Sequence, residues 1–179
     1  MNWEFSFLYA LQELHNPILD AIMTFITRLG DGGYFWIGVG IVCLIMKKHR
    51  KMGFDLLLSM LFTFFLGNLI LKNIFQRERP CTLDPTIELL ISRPSAHSYS
   101  FPSGHSMNGM AAAVAIFCNN KKVGIAALVL AVLIGFSRMY HFVHFPTDVL
   151  TGFCVGTAMA MLVQYVFGKK MRKSDVSVE

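Results

Sequence analysis

Residues 137–148 read Ser-Arg-Met-Tyr-His-Phe-Val-His-Phe-Pro-Thr-Asp, and they lie between two long apolar runs, residues 123–136 and 149–168. The stretch holds two of the chain's six histidines, an arginine and an aspartate. Charged and titratable groups are expensive inside or beside a bilayer, so such a cluster between apolar segments points to a functional site. Pro146 suits the first turn of a helix, because its fixed φ fits there and its missing N–H is not needed. His144 then sits just before that helix, where backbone N–H groups and the dipole favour a bound anion. Asp148, four residues on, can accept a hydrogen bond from one imidazole nitrogen and leave the other free to attack. That is the pairing of a nucleophile with its orienter. Taken alone, the stretch fits a plainer reading equally well, a His–Asp pair that anchors a helix end.

The composition sets the class. The chain has 179 residues, 54% of them hydrophobic, with 16 Phe and 11 Met. Its mean hydropathy of +0.52 is too high for a soluble domain of this size. The net charge of +5 could suit nucleic acid, but the basic residues cluster between apolar runs, which is a membrane-topology pattern. No nucleic-acid partner is expected. Cys43, Cys118 and Cys154 lie in apolar segments as small hydrophobes, and Cys81, beside an Arg-Pro pair, is expected near the outer surface. No cysteine or histidine spacing suggests a metal site.

Working outward, two further stretches carry chemistry. Lys72 and the Arg79-Pro80 pair close one apolar run, and Pro102-Ser103-Gly104-His105 opens the next. In chain order the three blocks read K-x6-R-P, P-S-G-H and S-R-x5-H-x3-D. Together they resemble the signature of the type 2 phosphatidic acid phosphatase superfamily of membrane phosphatases, without a substitution at the defining positions. The likeness covers residues 72–148 by motif and the whole chain by its pattern of apolar segments. It implies that His144 attacks phosphorus to give a phosphohistidine, that Asp148 orients it, and that His105 protonates the leaving group. It implies no metal ion and no cofactor.

The residue chemistry agrees with that implication. Lys72, Arg79 and Arg138 supply three cations for phosphoryl oxygens, the arginines able to hold two oxygens at once. Ser103 and Gly104, at a helix start, can add hydroxyl and backbone N–H donors. Histidine suits both nucleophile and acid because it titrates near neutrality. Arg77, Arg93 and His141 are the remaining outer groups that could contact substrate, although an interfacial histidine such as His141 is more often simply packed. His97 is expected to be a loop residue.

The expected fold is all-α: one domain over residues 1–179, a six-helix transmembrane bundle with an amphipathic amino-terminal start. The first crossing is placed up to Leu29, followed by a tight turn at Gly30-Asp31-Gly32-Gly33. The others are expected over 34–46, 55–72, 105–120, 123–138 and 146–168. Several are shorter than the roughly 20 residues that span a bilayer unless motif residues extend them. Small-residue faces at Ser106, Gly109, Ala112 and Ala113, and at Gly152, Gly156 and Ala160, should let the fourth and sixth segments pack centrally. Residues 77–101 form a long loop, read either as a lid or substrate wall or as a solvated connector.

Ten of the sixteen basic residues fall on one side of this arrangement. The positive-inside rule then puts both termini in the cytoplasm and all three motifs outside a plasma (bacterial inner) membrane. Compact size resembles bacterial members acting on undecaprenyl diphosphate. Alternatives are a glycerolipid phosphatase for phosphatidylglycerophosphate or phosphatidic acid, a non-catalytic lipid-phosphate binder or transporter, and a pocket for vanadate-dependent oxidation. Oligomeric state is not legible from the sequence.

Overall fold

The computed structural model describes residues 3–95 and 98–176, with side chains to residue 167. His97 lies outside the described residues. The described chain is all-helical. Helix α1 (Trp3–Gln12) precedes α2 (Pro17–Leu29), which Asn16 caps by accepting from the Leu19 N–H at 3.0 Å. A short turn follows, with Gly32 and Gly33 at φ 57° and 69°, a left-handed geometry that glycine adopts without strain. Helix α3 (Tyr34–Ile45) leads through a basic turn to α4 (Arg50–Phe64).

Helix α4 does not stop at Phe64. It widens into a π-helical stretch, Phe65–Leu71, and tightens again in α5 (Lys72–Phe75). Gln76, at φ 45°, ends the run and turns the chain toward the short α6 (Pro80–Leu83). After the long loop come α7 (Gly104–Asn119), α8 (Lys121–Tyr140) and α9 (Pro146–Val176).

Helix α7 is the axis of the bundle. It is buried along nearly its whole length, from Ser106 to Ile116, and packs against α4, α8 and α9. The expected central pairing of the small-residue faces is observed. A Cβ on Gly156 would come within 2.3 Å of the Met107 carbonyl oxygen, and one on Gly152 within 2.9 Å of the Ser103 carbonyl oxygen. Those glycines let α9 lie directly on the α7 backbone. At the far end, buried Asp55 receives Lys51 at 2.5 Å, Gln164 at 2.7 Å and Asn119 at 2.9 Å, tying α4, α7 and α9 together.

The expected six crossings are not reproduced. By length and composition three helical runs can cross a membrane: Lys47–Leu83, Lys121–Tyr140 and Pro146–Phe167. A fourth is gained if Pro17–Leu29 and Asp31–Ile45, bent by 44°, are one broken span. Helix α2, with 13 residues, is too short to count as a separate crossing, and it packs against the motif end of α8. Asp20 there meets the Tyr140 hydroxyl at 2.5 Å, and Thr27 meets Arg138 at 2.5 Å. Helix α1 also docks at the motif end, where Glu4 pairs with Arg77 and Tyr9 donates to Asp84 at 2.6 Å. Helix α1 is therefore packed at the motif end, and α9 starts there and runs away from it. Cys81, expected near the surface, is 1% exposed, whereas Cys118 and Cys154 are exposed on the bundle's outside.

Candidate active site

The three motif blocks meet at one end of the bundle because each caps or closes a helix. Ser103 is the N-cap of α7; its hydroxyl accepts from the Ser106 hydroxyl at 2.9 Å, and its N–H donates to the Asp148 carbonyl at 3.1 Å. Gly104 follows at the first helical position. The Lys72 ammonium lies 3.9 Å from where a Gly104 side chain would begin, so the lysine reaches toward the start of α7. The π-helical stretch that ends at Leu71 sets the rotation of this turn; such bulges are frequent at functional sites.

His144 sits in the turn between α8 and α9 and is 2% exposed. The Arg79 guanidinium donates from Nη1 to its Nε2 at 3.0 Å. A guanidinium has no lone pair to offer, so Nε2 is the unprotonated nitrogen and Nδ1 carries the hydrogen. Nδ1 faces the Asp148 carboxylate, with Oδ2 3.4 Å away, but makes no aligned hydrogen bond among the described residues. Catalytic hydrogen bonds are often long or poorly aligned before substrate arrives and tighten in the complex. Burial, followed by the positive charges of Arg79 and Arg138, holds His144 well below the ordinary imidazole pKa. The ring is therefore neutral at neutral pH, its lone pair aimed at the cations.

Arg79 is the most heavily bonded of those cations. Besides His144 it donates to the carbonyls of Ser98 at 2.8 Å, Val143 at 2.9 Å and Tyr99 at 3.2 Å, and to the Ser98 hydroxyl at 2.9 Å. It therefore joins the long loop to the His144 turn. Arg138, 6% exposed, donates to Thr27 and leaves its Nε without a partner among the described residues. A cavity of about 320 Å³ opens over it, lined by Thr27, Arg28, Asp31, Arg138 and loop residues Leu90–Ser92. The long loop thus serves as a wall of the site. His105 stands beside this cavity with Nε2 2.9 Å from Asp31 Oδ1. Gly30 makes the room: a Cβ there would fall 2.6 Å from the His105 ring.

Of the three further groups expected to meet substrate, Arg77 and Arg93 are bonded elsewhere and His141 is buried with no hydrogen-bond partner for its ring nitrogens among the described residues. Arg77 points into the protein, donating to Asp148 Oδ1 at 2.8 Å, Thr147 Oγ1 at 2.7 Å and Glu4 Oε2 at 2.6 Å, with its guanidinium 4.0 Å above the Phe145 ring. Arg93 is spent on its own loop, holding the carbonyls of Cys81 and Ile87. His141 is 1% exposed and packs edge-on against Tyr140. The sequence reading missed Arg28 and Asp31 at the cavity and Glu4 behind it. Asp31 had a visible signal, a carboxylate within a glycine-rich turn; Glu4 had none. Among the described residues, no three His, Cys, Asp or Glu side chains converge as a metal site.

This arrangement can bind an oxyanion among Lys72, Arg79, Arg138 and the α7 N-terminus, with an oriented imidazole on one side and a second histidine on the other. Comparison with known proteins agrees with that chemistry. The family model described as the PAP2 superfamily matches residues 52–172. An undecaprenyl-diphosphatase of Sulfolobus acidocaldarius is 33% identical over 145 residues, 80% of this chain and 68% of that protein. Phosphatidylglycerophosphatase B of Bacillus subtilis is 36% identical over 172 residues, 89% of this chain and 80% of that protein. Among solved structures, the transmembrane PAP2-type phosphatidylglycerolphosphate phosphatase from Bacillus subtilis superimposes with a TM-score of 0.74 at 32% identity, covering 92% of this chain and 84% of that one.

Proposed function

The chain belongs to the PAP2 superfamily and is a lipid phosphatase, and from that premise we propose that it converts undecaprenyl diphosphate to undecaprenyl phosphate without a metal ion. The observation that supports the mechanism is the buried His144 ring with the Arg79 guanidinium on Nε2 and the Asp148 carboxylate 3.4 Å from Nδ1. Nε2 attacks the terminal phosphorus in line. The bond from phosphorus to the bridging oxygen breaks as His105 gives that oxygen a proton, and the lipid monophosphate leaves. Lys72, Arg79 and Arg138 hold the charge that develops on the equatorial oxygens. Water then attacks the phosphohistidine, His105 takes its proton, inorganic phosphate departs and the imidazole is restored. Asp148 holds the Nδ1–H throughout, stabilising positive charge on the ring as the P–N bond forms.

Two features support a diphosphate lipid. Arg28 lines the cavity beside Arg138, which gives the second phosphate a cation beyond the three of the motifs. The first isoprene units have an apolar groove of about 480 Å³ lined by Gly32, Ile37, Leu57, Met60, Leu61 and Phe64, one residue from Asp31. A longer tail must lie in lipid, since the whole chain far exceeds the roughly 15 Å half-thickness of a bilayer. Phosphatidylglycerophosphate is the second reading, favoured by the 36% identity to phosphatidylglycerophosphatase B. Phosphate release by the purified protein from both lipids, in excess EDTA, tests both. The expected result is faster turnover of prenyl diphosphates, undiminished by chelator, with little dependence on tail length beyond the first units. Faster turnover of phosphatidylglycerophosphate hands the site to the glycerolipid, and loss of activity restored by a divalent cation ends the metal-free mechanism.

The membrane orientation follows from charge. Ten of sixteen basic residues lie in the α3–α4 turn, the α7–α8 turn and the tail, all at the end away from the motifs. Under the positive-inside rule that end is cytoplasmic and the site extracytoplasmic, with α1 now on the outer side. In a cysteine-free background, an impermeant maleimide added to intact cells should label Cys at positions 3 and 88 and not at 47. The reverse pattern places the site in the cytoplasm.

A further inference from the structure

Asp148 can orient His144 only if something orients Asp148. Its side chain is fully buried. Oδ2 accepts the Phe145 N–H at 2.8 Å, and Oδ1 accepts Arg77 at 2.8 Å. Arg77 comes from the far side of the long loop, 71 positions away, and its own direction is set from the amino-terminal helix. Glu4, 5% exposed on α1, takes its Nη2 at 2.6 Å. The other oxygen of Glu4 accepts the Thr147 hydroxyl at 2.7 Å and the Thr147 N–H at 3.3 Å. Thr147 Oγ1 in turn receives Arg77 at 2.7 Å. A carboxylate on a free N–H in the first turn of α9 is also favoured by the helix dipole.

We infer that Glu4 and Arg77 are positioning residues for the reaction, forming a relay Glu4–Arg77–Asp148–His144 through which the amino-terminal helix fixes the nucleophile. The relay rests on the reading of His144 as nucleophile. Glu4, Arg77 and Asp148 alternate in charge, with the neutral His144 ring facing the last of them, and one planar guanidinium bridges the two carboxylates through Nη1 and Nη2, which a lysine could not do. The face of Arg77 is closed by Phe145, the residue next to His144. Helix α1 therefore completes the catalytic geometry rather than merely lying in the interface.

The experiment compares kcat and KM for Glu4→Ala, Glu4→Gln, Arg77→Ala and the double variant Glu4→Ala/Arg77→Ala, with Tyr9→Phe and His144→Ala beside them. Misplacing a reacting group by a fraction of its contact distance lowers kcat on the order of 10- to 100-fold. That loss is expected for Glu4→Ala and Arg77→Ala, with KM changed by no more than about twofold, since both side chains are spent on each other, Asp148 and Thr147. The double variant should fall no further than Arg77→Ala alone, because the two act in series. Glu4→Gln, which keeps one carbonyl oxygen and the side chain's shape, should lie between Glu4→Ala and the parent, and it decides the matter if Glu4→Ala does not fold. Tyr9→Phe removes a different α1 contact, the hydrogen bond to Asp84, and should leave kcat unchanged. A parental kcat in the Glu4 variants, multiplicative losses in the double variant, or an equal loss in Tyr9→Phe would each overturn the relay. If His144→Ala is active in the same assay, the nucleophile reading fails instead; if it is inactive while Glu4 variants are normal, only the relay fails.

Discussion

His144→Ala should abolish phosphate release, with kcat lower by about four orders of magnitude or more, while the folded protein still binds inorganic phosphate. Removal of a nucleophile from a concerted site has effects of this size, and the residual rate comes from binding groups alone. The cations that would hold phosphate, Lys72, Arg79 and Arg138, come from other segments and keep their places. The loss should be accompanied by loss of acid-labile phosphoprotein in quenched reactions. The pH dependence of the phosphorylation step reports on the same ring. Its pKa is held down, first by burial and then by Arg79 and Arg138, so the lone pair is available throughout the neutral range and is lost only as pH falls well below the ordinary imidazole range. Single-turnover phosphorylation should therefore show no acid limb from His144 near pH 6.5, the ordinary value for histidine. A His144→Ala variant retaining even about a hundredth of the parental kcat would leave too small a loss for a nucleophile.

How much of this could be read in the sequence depends on what encodes each feature. Positions set by local spacing were legible. Pro146 does begin α9, Ser103 does cap α7, and Asp148, in the first turn of α9, falls 3.4 Å from the His144 ring just before that helix. The glycine and alanine faces of α7 and α9 were legible for the same reason: contact along a helix has a period. Pairings across long stretches of chain have none. Arg77 sits two residues before Arg79, and in sequence the two look like equal candidates for substrate. The structure turns Arg79 toward His144 and Arg77 toward Asp148 and Glu4, because Gln76 reverses the chain and α1 supplies a carboxylate from the other end of the molecule. The number of crossings was less legible: α2 has only 13 residues, and its contacts with Arg138 and Tyr140 at the motif end have no period in the sequence. The π-helical widening before Lys72 leaves no mark in a sequence of Phe, Leu, Gly and Asn.

Arg79→Lys should cost nearly as much as removing a catalytic group, although it preserves the charge. If charge alone mattered, the loss would be small, since an ammonium can sit near a phosphoryl oxygen as a point charge. The structure assigns Arg79 a second task that needs the planar fork. Its three nitrogens reach Ser98 and Tyr99 on the long loop, Val143 in the turn before α9, and Nε2 of His144. Lysine has three donors on one atom and cannot span both segments. The variant would leave the Val143 carbonyl and part of the 98–99 turn without donors in a buried place, and would free the His144 ring to rotate away from the attack line. A fall in kcat/KM of about 100- to 1,000-fold is expected, the size found when one preorganised donor to a developing oxyanion is lost. Arg138→Lys makes the contrast. Arg138 donates to one threonine hydroxyl and otherwise faces the cavity, so its replacement should weaken phosphate binding without loosening the His144 turn. Thermal unfolding midpoints measured alongside kcat/KM separate the two effects: Arg79→Lys should lower both, Arg138→Lys mainly the second. An Arg79→Lys enzyme as active and as stable as the parent would show that the fork geometry at this position serves neither the loop nor the nucleophile.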